Sequence, residues 1–196
     1  VLAVVGDRAS EEAYQRVFLE MGLDRPIWEQ YLTYLGQILT GDFGTSIMTT
    51  RPVTEDILRF FPATLELATL ATLIGCVIGI PLGVWAAVNQ GRWIDHCARL
   101  LGLAGYSAPV FWLGMLGLLI FYGNLGWVAG PGRIDIYYDG LVEDPTGVIL
   151  FDAAWHGEWE IFWNAFSHLI LPAGVLGLYA LAYIARMTRS FMLDQL

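Results

Sequence analysis

Apolar and polar residues along this chain fall into blocks. Leu67–Gly91, Leu100–Gly132 and Ile161–Ala185 each run at least 25 residues without Asp, Glu, Lys or Arg. A helix of about 20 apolar residues crosses a hydrocarbon core of about 30 Å, so each window can hold one membrane span. Between Leu67 and Val88 stand ten Leu, Ile or Val residues, which favour insertion by about 3–6 kcal/mol before smaller polar and proline penalties. A buried soluble helix accounts poorly for three such windows in 196 residues, and the reading is an all-α integral membrane protein.

Outside the windows the pattern changes. Ser10, Glu11 and Glu12 suit a helix start and Gly22 its stop. A second helix is expected from Pro26, with Ile27, Tyr31, Tyr34, Leu35 and Ile38 on one stripe, and a short helix before Pro62. Residues 1–62 therefore read as a small helical extracytoplasmic segment. The expected order continues with a transmembrane helix over 63–91, a connection over 92–106, a second transmembrane helix over 107–130 starting near Pro109, an acidic connection over 131–162, a third transmembrane helix over 163–188, and the tail 189–196.

Within the first span Gly75, Gly79 and Gly83 recur every four residues, a smooth face for close helix approach, and Pro81 calls for a kink among neighbouring helices. In the outer connection Trp155, Trp159 and Trp163 are spaced by four and predict an amphipathic helix lying at the outer membrane surface.

Charge sets the orientation. The stretches 89–99 and 186–196 hold four arginines and two acids, against six arginines and seventeen acids in 1–66 and 131–168. Arginine density near span ends marks the cytoplasmic side, so the first span runs out to in, the second in to out and the third out to in. Arg186 and Arg189 then face the cytoplasm.

The chemistry these residues exclude is as informative. The chain has no lysine, so it holds no phosphate loop of the Gly-Lys-Ser/Thr type, and any ATP must be hydrolysed by another chain. Cys76, Cys97, His96, His156 and His168 show no metal-ligand spacing. A net charge of −9 disfavours nucleic acid as a partner. An intramembrane serine protease built on Ser107 and His168 needs the two within hydrogen-bond reach, whereas the orientation sets them at opposite edges. A passive membrane scaffold stays open as the alternative.

The pieces Met21–Val53, Pro62–Ala68 (PATLELA), Gly79–Ala87 (GIPLGVWAA), Ala108–Phe121 (APVFWLGMLGLLIF), Leu125–Arg133 (LGWVAGPGR) and His168–Leu193, in this order, resemble the permease subunits of binding-protein-dependent ABC importers of the dipeptide/oligopeptide/nickel class. The resemblance implies part of a type I importer bundle, three of about six spans, in a bacterial or archaeal cytoplasmic (inner) membrane. It implies a homologous permease subunit, two ATPase subunits that carry the ATP and magnesium, and an extracytoplasmic substrate-binding protein as partners. It also implies a coupling segment beginning at 189–196, with Arg186 and Arg189 at the cytoplasmic mouth just ahead of it. The acids Asp135, Asp139, Glu143 and Asp144 are candidates for docking the binding protein by long-range attraction.

Overall fold

The computed structural model describes residues 10–141 and 145–195. Among them the regular structure is helical, and the chain divides into two compact units that meet in sequence at Phe60/Phe61.

In the first unit, α1 (Glu11–Glu20) carries Glu11 and Glu12 in its first turn, and Gly22 stops it in the left-handed region at φ +64°. The helix α2 (Ile27–Leu39) starts after Pro26, whose missing N–H costs nothing in a first turn. It buries no residue within its own unit: Ile27, Tyr31 and Leu39 are more than 60% exposed. A short turn follows, closed by a bridge between Thr45 and Pro52 and by the Thr49 hydroxyl donating to Asp56 at 2.5 Å.

The helix α3 spans Val53–Val88 and contains both Pro62 and Pro81. The break expected at Pro62 is therefore absent. Each proline deletes one backbone donor, but the remaining ladder of a 36-residue helix carries the chain through.

The second unit is built around one close contact. In α3 the buried positions are Glu66, Ala71, Gly75, Gly79, Gly83, Ala86 and Ala87, and apart from Glu66 every one is Gly or Ala. They meet α7 (Trp159–Leu193), whose buried positions include Ala165, Ala173, Gly177, Ala182 and Ala185. A Cβ placed on Gly75 would stand 2.5 Å from the Cβ of Ala180, and one on Gly83 would stand 2.6 Å from the carbonyl oxygen of Ala185. Gly79 faces Leu181 and Ile184, and Gly177 faces Ile74 and Ala71. Partner numbers rise together along the two helices, so α3 and α7 run parallel. With no room for a Cβ, the backbones approach at the distance small-residue motifs permit.

The chain between them lies along α7 in the opposite direction. After Gly91 it forms α4 (Trp93–Ser107), passes through extended Ala108 and Pro109, and continues as α5 (Val110–Gly117) and a π-helical segment Leu118–Asn124. Asp95 meets Arg189, Gly105 meets Ala182 and Leu178, Gly117 meets Leu171, and Ala129 meets Ser167. Partner numbers fall as the chain advances, the signature of an antiparallel neighbour. The stretch expected as a connection over 92–106 is thus a helix laid on the C-terminal half of α7. The helix expected to run unbroken through 107–130 is an eight-residue α-helix followed by seven π-helical residues.

The aromatic helix expected to carry all three tryptophans is divided. Trp155 belongs to α6 (Ile149–His156), which ends at Gly157 in the left-handed region at φ +76°, while Trp159 and Trp163 open α7. A left-handed Gly just past the last turn closes a helix through its free carbonyls, and here the N–H groups of Gly157 and Glu158 reach the carbonyls of Ala154 and Ala153. A spacing of four reads straight across such a stop. By length and composition α3 and α7 can each cross a membrane, and Val110–Asn124 is a shorter apolar helix.

The glycine seam predicts a contrast. Gly75→Leu is expected to lower stability by about 1–3 kcal/mol, the usual cost of overpacking, whereas Gly174→Ala, on α7 with nothing within 4 Å of its added methyl, is expected to be neutral or stabilising. Thermal unfolding in detergent compares the two.

Candidate functional site

Two polar clusters sit at opposite ends of the helix pair, each made by the chain between α3 and α7 reaching back to them.

At the end holding Val88 and Leu193, the centre is Asp95, in the first turn of α4 and 1% exposed. Its position three residues past the N-cap Arg92 lets the carboxylate turn back and accept the Gly91 N–H at 3.0 Å. Arg189 of α7 donates to it through two nitrogens, Nε to Oδ1 at 2.6 Å and a terminal nitrogen to Oδ2 at 3.0 Å. A two-point guanidinium–carboxylate pair fixes both distance and orientation. Arg99 adds a longer contact at 3.7 Å.

Beside this pair is a cavity of about 440 Å³ between α3, α4 and α7, walled by Ala86, Gly102, Leu103 and Ala185, with Arg99, Arg186 and Arg189 around it. Arg186 lies over the Tyr183 ring at 5.9 Å. The two arginines singled out in sequence therefore part in role: Arg189 is a clasp to α4, while Arg186 is an exposed cation at the cavity.

At the other end the centre is Glu66 of α3, 8% exposed. Its Oε2 accepts from Arg133 at 3.1 Å and its Oε1 from the Leu150 N–H at 2.8 Å, while the same Arg133 nitrogen also donates to the Gly147 carbonyl at 2.8 Å. One carboxylate thus gathers both sides of the loop that precedes α6. On the α7 side the His168 ring nitrogens meet the Gly130 carbonyl at 2.9 Å and Asp135 at 3.2 Å, and Asn164 donates to Asp135 at 2.6 Å. The Asn164 amide, seconded by His168, keeps the Asp135 carboxyl below its usual range. A pocket of about 210 Å³ lies among Glu66, Arg133, His168 and Pro172.

Of the acids expected to dock a partner, Asp135 is tied to Asn164 and His168, Asp139 is exposed after a 3-10 turn, and Glu143 and Asp144 lie outside the described residues. Trp155, Trp159 and Trp163 are 59–77% exposed; Trp155 stacks on Phe151 and Trp163 meets Phe162 and Phe166 edge-on. Pro81 is exposed on α3, on the side away from the glycine seam. The Ser107 hydroxyl donates to the Leu103 carbonyl and both His168 nitrogens face other partners, so no Ser–His pair forms between them.

Sequence reasoning passed over Asp95, Glu66 and Arg133. A signal existed for Glu66, a single carboxylate where an apolar window opens, since such a group is retained only with a partner. Asp95 fell in a stretch expected as a connection, and nothing local in the sequence points to an arginine 94 positions away.

Comparison with known proteins adds to this geometry. The sequence profile described as "Binding-protein-dependent transport system inner membrane component" matches residues 79–196. The chain is 46% identical over 193 residues to the probable D,D-dipeptide transport system permease protein DdpB of Escherichia coli K12, covering 98% of this chain and 56% of that protein. It is 43% identical over 200 residues to the dipeptide transport system permease protein DppB of the same organism, covering 100% and 58%. The di/tripeptide transport system permease protein DppB of Pseudomonas aeruginosa is 42% identical over 189 residues, covering 96% and 56%. The chain thus spans a little over half the length of these relatives.

The Asp95–Arg189 clasp has a directional consequence. Arg189→Gln strands a carboxylate that is 2% exposed and is expected to cost about 3 kcal/mol or more. Asp95→Asn leaves an arginine that is 23% exposed, at a smaller cost of about 1–3 kcal/mol. Thermal unfolding of wild type, Arg189→Gln and Asp95→Asn in detergent compares the two costs.

Proposed function

The chain belongs to the family of binding-protein-dependent transport system inner membrane components, and from that premise we propose that it forms part of the solute pathway of an ATP-driven importer of dipeptides or short peptides. The observation that carries the reading is similarity over nearly the whole chain to relatives named as dipeptide and di/tripeptide permeases. The family consists of transport-system components, so the chemistry of ATP belongs to partner ATPase subunits with their magnesium. A homologous permease and an extracytoplasmic binding protein complete the assembly. Exposed Asp139 is the better docking acid for that binding protein, since Asp135 is engaged within the fold.

The proposed topology follows arginine density and helix direction. α3 crosses from outside to inside within 63–91, and α7 crosses in the same sense within 163–188. Parallel neighbours joined by one antiparallel stretch need that stretch to return across the bilayer. From Asp95 opposite Arg189 to Ala129 opposite Ser167, it follows about 33 Å of α7, close to the hydrocarbon thickness. The returning crossing is therefore a broken one, α4 plus α5 with its π-helical extension, interrupted at Ala108–Pro109. Its backbone is still served where it breaks, because the Tyr179 hydroxyl donates to the Ala108 carbonyl. Non-helical backbone at membrane depth is tolerated where protein covers it, and broken helices of this kind line transport pathways.

Two experiments test these readings separately. The full-length subunit, reconstituted with its ATPase and permease partners, is expected to show ATP hydrolysis stimulated by dipeptide-loaded binding protein; unstimulated hydrolysis favours the passive scaffold instead. Cys97 is exposed at the inner end of α4, so a thiol reagent that cannot cross lipid is expected to label it in inverted vesicles and leave it unmodified in sealed right-side-out cells. The reverse pattern inverts the topology.

A further inference from the structure

The cavity beside the Asp95–Arg189 clasp combines two properties that single residues do not. Its walls are the small and apolar Ala86, Gly102, Leu103 and Ala185, and three guanidinium groups, Arg99, Arg186 and Arg189, stand around it. Arg189 at 2.6 Å and Arg99 at 3.7 Å share the one carboxylate of Asp95, so between these two guanidinium groups positive charge is in excess. Exposed Trp85, next to the wall residue Ala86, and exposed Trp93, opening α4, lie at the same end. Tryptophans at a span end settle at headgroup depth, so these guanidinium groups sit where lipid phosphates lie. The apolar slot runs from there along the helices towards the hydrocarbon.

We propose that this cavity is a binding site for an anionic phospholipid of the inner leaflet, with its phosphate held by Arg99 and Arg186 and the start of one acyl chain laid between α3, α4 and α7. Charge complementarity selects the headgroup, and the apolar walls select a lipid over free phosphate. Basic pockets between membrane helices on the cytoplasmic side bind acidic headgroups by this combination. Arg189 contributes charge but stays on Asp95. The inference rests on the membrane orientation above, which thiol labelling of Cys97 tests without reference to lipid.

The test uses the full-length subunit purified in detergent, with bound lipid counted by native mass spectrometry during titration with phosphatidylglycerol or phosphatidylcholine of matched chains. Phosphatidylglycerol is expected to bind more tightly, and Arg99→Gln with Arg186→Gln to weaken it by roughly 20- to 30-fold, about fivefold for each arginine near the membrane surface. Both side chains are exposed, so the double variant should fold; Arg16→Gln, an exposed arginine of α1, serves as the charge control and should bind as wild type. Ala98→Phe, which adds a ring to the slot and keeps all three arginines in the chain, is expected to reduce binding of phosphatidylglycerol. Equal binding of the two lipids, a preference that survives the double variant, unchanged binding in Ala98→Phe, or displacement by millimolar inorganic phosphate would each overturn the proposal.

Discussion

The second unit depends on two long helices approaching until their backbones touch. In lipid no hydrophobic force drives helices together, because the surrounding chains are as apolar as leucine; close dispersion contact and shared polar groups must supply the attraction. Gly75, Gly79 and Gly83 leave no side-chain layer between α3 and α7, so a parallel pair of helices becomes one rigid wall. Everything else in the unit is laid against it.

The intervening chain is fastened to that wall at its two ends and in the middle. Asp95 holds its start to Arg189, the Tyr179 hydroxyl covers the gap at Ala108, and Glu66 and His168 hold the loop beyond the π-helical segment. Each fastening pairs a group on the returning strand with one on the wall. The returning segment can then be irregular while its backbone stays served at the break, the condition that the proposed crossing sets for a non-helical element. Close backbone contact belongs to the glycine seam and irregularity to the segment laid on it.

How much of this could be read from sequence depends on the range of each interaction. The apolar windows and the glycine periodicity are local, and they led to helices and a close-contact face; the family resemblance came from short pieces such as PATLELA and GIPLGVWAA in their order, and the profile match bears it out. The division of the tryptophan stripe was missed because Gly157 has a left-handed conformation that a spacing of four cannot register. Continuity through Pro62 was missed because a proline's local penalty was read without the long helix around it. The two ionic fastenings were invisible for a plainer reason: Glu66 and Asp95 find their partners 67 and 94 residues away, and a single sequence holds no record of such pairing.

That separation bears on how the protein is made. Chain emerges from the ribosome in order, so Asp95 is synthesised and delivered to the membrane 94 residues before Arg189 exists. Until then its carboxylate has only the Gly91 amide and Arg99 for company, and the segment that carries it has no wall to lie against. The clasp between α4 and α7 is therefore among the later contacts to form, closing only once Arg189 has been made.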